Sequence, residues 1–82
     1  MANRMFHALA EWHDGKWRAV TDEIEGRRFT ATVVSNASDP ADRQALEPIE
    51  EQLSLALLEQ LDQELGFPRQ QTGMIVSCVG PT

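Results

Sequence analysis

A two-layer α+β domain in the order β-β-β-α-β is the fold this sequence predicts, and three observations carry the prediction. Asp14-Gly15 separates two runs of alternating apolar and polar residues, which is the signature of a tight hairpin. Ile49, Leu53, Leu57, Leu61 and Leu65 recur every fourth residue, as on one side of a helix. Met74 to Val79, rich in β-branched residues, then follows a Gly66/Pro68 stop and reads as a late strand. A meander of three antiparallel strands plus this fourth strand, packed on one main helix, is a two-layer arrangement.

Taken in order, Phe6 to Trp12 and Trp17 to Thr21 flank the turn His13-Asp14-Gly15-Lys16. Both central positions tolerate positive φ, so a two-residue loop sets the register. Trp12 then lies opposite Trp17, Glu11 opposite Arg18 and Leu9 opposite Val20: an aromatic, an ionic and an apolar pair, each favourable by up to ~1 kcal/mol. A second hairpin turns at Glu25-Gly26, pairs Glu23 with Arg28, and carries the third strand through Phe29 to Val34.

Ser35-Asn36-Ala37-Ser38-Asp39-Pro40 ends the sheet, with Asp39 as a helix N-cap and Pro40 at the first helical position. Pro48 implies either a short helical turn before it or a kink. The main helix runs from Pro48 to Leu65, about 27 Å, with Ala56 and Leu58 widening the apolar stripe. Gly66 closes it as a left-handed cap, and Pro68 prevents its resumption. The fourth strand is apolar enough to be buried on both sides.

These registers divide the sheet. One face holds Phe6, Ala8, Ala10, Trp12, Trp17, Ala19 and Val34, and its small residues let a helix approach, so it is assigned to the core. The other holds Leu9, Val20, Phe29, Ala31 and Val33 beside His7, Glu11, Arg18 and Asp22. One helix cannot cover both faces, so an apolar patch stays open, and Leu9, Arg18, Val20, Phe29 and Val33 are the predicted partner-binding residues. A one-residue slip in register would move these side chains to the other face.

Residues 1–82 make a single domain, because either half would be too small to bury a core. At 41% hydrophobic and 24% charged the composition is that of a folded globular chain. A core this size leaves only about 3–5 kcal/mol after conformational entropy, so a protein partner or homo-oligomer is expected. The net charge is −6, and residues 46–82 carry six acidic side chains against one basic. Most of that charge lies on the helix, between Glu47 and Glu64. With six arginines and one lysine scattered along the chain, direct nucleic-acid binding is not expected. No apolar run approaches the ~20 residues of a membrane span, no signal-peptide pattern follows Met1, and Cys78 is the only cysteine. A cytoplasmic location follows.

Chemistry is sparse. His7, His13 and Cys78 are the only nitrogen or sulfur ligands and show no metal-ligand spacing, so neither a metal nor a cofactor is expected. Cys78, between Val76 and Val79, reads as a small core residue. No serine lies in a nucleophile elbow, and no glycine-rich phosphate loop is present. Glu50, Glu51, Glu59 and Asp62 read as the wet face of a helix. Glu64 falls near the apolar side, where Arg27, Arg28 or Arg69 could meet it. Trp12 and Trp17 either stack on a ligand at the hairpin mouth or cover the end of a small core.

Asp14-Gly15-Lys16-Trp17-Arg18-Ala19-Val20-Thr21, running into Glu25-Gly26 and then a strand and a helix, resembles the N-terminal domain of HicB-like antitoxins. The resemblance spans residues 5–65 and implies a compact β-β-β-α-β domain that binds a small toxin and self-associates. Asp22-Glu23-Ile24-Glu25-Gly26 replaces the proline-and-glycine stretch usual between strands two and three, and no functional residue is carried over.

The expected function is therefore a non-enzymatic, acidic protein-binding or regulatory module, with toxin neutralisation as one form. A second reading is a phage-type inhibitor whose carboxylates mimic nucleic-acid phosphates. A third is a small ligand-binding or enzyme subunit using Trp12 and Trp17, with His7 or His13 as acid or base.

Overall fold

The computed structural model describes residues 3–79, and these form one mixed four-stranded sheet packed against one long helix. The strands are β1 (Arg4–His13), β2 (Lys16–Thr21), β3 (Thr30–Val34) and β4 (Thr72–Val79), in the spatial order β3-β2-β1-β4. The helix α1 spans Arg43–Leu65, and a 3-10 turn at Arg69–Gln71 leads into β4. β1 and β2 pair antiparallel, as do β2 and β3, whereas β4 pairs parallel with β1.

That topology determines where the helix lies. β3 and β4 occupy opposite edges and run in the same direction, so the chain must cross the whole sheet between them, and a helix is the usual form of such a crossover. It passes over the face bearing Ala8, Ala10, Ala19 and Ala31, whose short side chains admit it closely. Trp17, Leu46, Leu53, Leu57 and Leu61 are completely buried between the layers. The opposite face has no second layer among the described residues.

The first hairpin has the predicted register: Trp12 faces Trp17, Glu11 faces Arg18 and Leu9 faces Val20. Asp14 and Gly15 both have positive φ (55° and 83°), which matches the twist of the strands. The second hairpin turns where expected, with Glu25 and Gly26 at φ 52° and 75° and Ile24 paired with Arg27. Beyond the tip its register changes. Val20 pairs with Thr30, Ala19 with Ala31 and Trp17 with Val33, one residue out of step with the turn. Asp22 and Glu23 together oppose Arg28, which makes a β-bulge.

This bulge corrects the predicted faces. Phe29 is 4% exposed, Ala31 is buried and Val33 packs against the core, all on the helix side, while Val34 points out at 82% exposed. The physical cause is a conflict between the turn and the burial pattern. Phe29, Ala31 and Val33 alternate with Thr30 and Thr32, and the apolar set is buried only if the strand slips by one residue. The freed polar groups are satisfied: the Phe29 N–H donates to the Thr21 hydroxyl (3.0 Å), and the Asp22 N–H donates to the His7 carbonyl (3.1 Å).

The helix begins before Pro48, where the main helix was predicted to start, but after the predicted first helical position, Pro40. Asp42 rather than Asp39 is the N-cap, its carboxylate accepting from the Ala45 N–H, while Asp39 accepts from the Ala41 N–H in the preceding turn. Pro48 lies inside the helix. An interior proline costs about 3 kcal/mol, and the complete burial of Leu46 one half-turn earlier offsets part of it. Leu65 and Leu58 are half-buried, and Ala56 is exposed instead of widening the stripe. Gly66 (φ 72°) closes the helix as expected. Its N–H donates to the Asp62 carbonyl and that of Phe67 to the Leu61 carbonyl, and Phe67 folds into the core. β4 is not buried on both sides; its burial alternates, as suits an edge strand with one wet face.

Candidate functional site

The bare sheet face is the candidate site, and the pleat dictates its contents. Odd-numbered residues of β1 and β4 and even-numbered residues of β2 and β3 point away from α1. Met5, Leu9, Ile75 and Val79 are exposed there, with Leu9 at 58% and Ile75 at 46%. The Met5 side chain lies over Gly73, its cross-strand neighbour, where a Cβ would meet its terminal carbon at 2.7 Å. Half-buried Val20 joins Leu9 across β1 and β2. A trough of about 630 Å³ opens here beside Leu9 and Val20, lined also by Trp12 and by the charged Glu11, Arg18, Asp22 and Arg28.

Of the predicted partner-binding residues, Leu9, Arg18 and Val20 are gathered here, whereas Phe29 and Val33 are not. The bulge carries both to the core side. The sequence reading missed Met5, Ile75, Val79 and Arg28, and it placed Val34, which is on this face, in the core. Alternation within Thr72–Val79 was available as a signal for Ile75, but its neighbours on β1 depend on which strand β4 joins.

Charge is partitioned in the same way. Arg4 stacks over the Phe67 ring (4.0 Å), Arg27 pairs with Glu64 (2.9 Å), and Arg43 pairs with Glu50. Among the described residues Lys16, Arg18 and Arg28 make no ion pair, and all three stand on or beside the open face. On the far side α1 exposes Glu47, Glu51, Glu59 and Asp62, also without an ion pair. Arg27 is thus the partner that Glu64 needed. Both groups are about half exposed, so the pair contributes little to stability.

Polar side chains of α1 reach backbone groups of both edge strands. Gln60 donates to the Thr30 carbonyl of β3 (2.7 Å), Ser54 donates to the Met74 carbonyl of β4 (3.0 Å), and Glu50 accepts from the Cys78 N–H (3.2 Å). These bonds occupy one carbonyl on the β3 edge and one carbonyl and one N–H on the β4 edge.

The remaining chemical candidates have structural duties. Trp17 is fully buried and its indole N–H donates to the Ala37 carbonyl (2.6 Å). Trp12 is half-buried and donates to the Ser35 carbonyl (3.2 Å). The pair therefore closes one end of the core and ties down the loop after β3, and Trp12 also lines the trough. Burial, reinforced by the charge and hydrogen bond of Glu50, pushes the Cys78 thiol up to about 11, so it stays protonated near neutral pH and is a poor nucleophile. His7 and His13 lie exposed on the open face, six residues apart along β1. Among the described residues no three His, Cys, Asp or Glu side chains converge as metal ligands, and no helix is long and apolar enough to cross a membrane.

No family model, curated protein or solved structure matches this chain.

Proposed function

We propose that this protein is a non-enzymatic protein-binding or regulatory module of the cytoplasm, acting by masking another protein with its open sheet face. The observation that carries the reading is the strip Met5, Leu9, Val20, Ile75 and Val79, which crosses three strands on the side the helix leaves bare. Exposed apolar area grouped in this way marks an interaction surface. Toxin neutralisation, which the HicB-like resemblance implies, is one form such masking would take.

The test is affinity capture from the native cell with the intact chain, comparing Leu9→Asp and Ile75→Asp with the helix variants Glu51→Lys and Glu59→Lys. Both sheet positions are exposed, so circular dichroism is expected to show an unchanged fold. Loss of a partner with the sheet variants and its retention with the helix variants is the expected result; the reverse pattern overturns the proposal.

Nucleic-acid mimicry is supported by one observation, the unpaired Glu47, Glu51, Glu59 and Asp62 on the back of α1. A mimic's complex would dissolve at about 0.5 M salt, where the screening length is below about 5 Å. An apolar contact would persist.

A further inference from the structure

We infer that the β3 edge is the docking site for a second copy of this chain, the two β3 strands pairing antiparallel across a two-fold axis at Thr32. The first ground is the ladder. The Thr21 N–H donates to the Phe29 carbonyl and the Ser35 N–H to the Gly15 carbonyl, both at 3.0 Å, so odd-numbered residues on the β3 side turn their backbone groups to β2. The N–H and C=O groups of Thr30, Thr32 and Val34 therefore point outward. Among the described residues only the Thr30 carbonyl has a partner there, the Gln60 amide, and a carbonyl keeps a second lone pair.

The second ground is the composition of the strand. Thr30-Ala31-Thr32-Val33-Val34 carries no charge and no proline, the usual guards of an edge, and Val34 is 82% exposed. Symmetry then selects the occupant. With Thr32 opposite Thr32, each Val34 lies opposite Thr30 of the other copy, so β-branched side chains meet and no like charges are opposed. Pairing of β3 with β4 of another copy would build an open filament, but on β4 Ser54 holds the Met74 carbonyl and Glu50 the Cys78 N–H. A foreign segment would have to be ordered to fit, whereas a second copy brings a strand already extended. The two open faces then lie on one side of a continuous sheet, which offers a partner two binding surfaces.

Sedimentation velocity of the intact chain from about 1 to 100 μM tests the inference, with circular dichroism as the check of fold. A reversible dimer is expected. Thr32→Pro withdraws one outward N–H from each copy and leaves the β2 ladder intact, so the dissociation constant is expected to rise at least about tenfold. Thr32→Lys and Thr32→Glu each place like charges on the axis and are expected to weaken the dimer several-fold. Mixing these two variants is expected to restore it, because opposite charges then meet at Thr32.

A chain that stays monomeric at about 100 μM overturns the inference and leaves β3 to a foreign strand. A dimer indifferent to Thr32→Pro overturns it, and one that Leu9→Asp dissociates while Thr32→Lys does not assigns the second copy to the open face instead. Polymers that lengthen with concentration replace the closed dimer by β3-to-β4 pairing. Should Thr32→Pro unfold the chain, the lysine and glutamate variants and their mixture decide: no weakening, or no recovery on mixing, overturns the pairing at Thr32.

Discussion

The two hairpins use the same turn and reach different ends. Asp14-Gly15 and Glu25-Gly26 both place two successive residues at positive φ, yet the first turn sets the register of the whole β1-β2 ladder, whereas the register set by the second survives for one pair, Ile24 and Arg27. The difference lies beyond the turns. In the first hairpin the turn register and the burial pattern agree, with Trp12, Trp17, Ala10 and Ala19 all falling on one face. In the second they conflict, and burial prevails because several apolar side chains outweigh one turn. The bulge at Asp22-Glu23 absorbs the difference, and it also strips Phe29 and Val33 from the open face.

The comparison breaks most sharply under single-residue deletion. Removing His13 takes a residue from a ladder with no bulge, shifts β1 against β2 and turns one strand's core set outward; loss of a cooperative thermal transition is expected. Removing Glu23 deletes the extra residue of the bulge and lets turn and ladder agree, so a folded protein within about 1 kcal/mol of the original is expected by chemical denaturation. If both deletions unfold the chain, the bulge is not the buffer described.

Next in size are the tryptophans of the first hairpin. Trp17→Ala opens a cavity under α1 and frees the Ala37 carbonyl, for an expected loss of about 3–5 kcal/mol in urea unfolding. Trp12→Ala, at a half-buried site, is expected to cost distinctly less. Equal losses would show that the two rings bear on the core alike.

A smaller effect isolates the bulge. Thr21→Val keeps the shape of a buried side chain but leaves the Phe29 N–H without its hydroxyl acceptor, which is expected to cost about 1–3 kcal/mol. The smallest change is a gain. Glu25 adopts left-handed φ, a conformation asparagine and aspartate tolerate better than glutamate. Glu25→Asn is expected to raise stability by up to about 1 kcal/mol, and Asp14→Asn to leave the melting temperature nearly unchanged.

The legible part of the fold was the local part. Asp14-Gly15 and Glu25-Gly26 were readable because positive φ is a property of a residue and its immediate neighbours. The stripe from Ile49 to Leu61 and its stop at Gly66 were readable because a helix repeats within a few residues. The helix start was less so, since Asp39 and Asp42 offer similar caps, and the burial of Leu46, a tertiary contact, selects Asp42. Of the candidate site, Leu9, Arg18 and Val20 follow from the first hairpin alone.

By itself, then, the sequence determined the element order, both turns, the β1-β2 register and the apolar side of α1, because each depends on backbone preference or periodicity over a short span. Only the tertiary structure decided the register of β3, the parallel placement of β4 beside β1 and the hydrogen bonds from Gln60, Ser54 and Glu50 to the edge strands. Each of these is a competition between distant surfaces for burial and hydrogen bonds, and its outcome exists only once the helix has crossed the sheet. Which side chains are left facing solvent is the remainder of that competition.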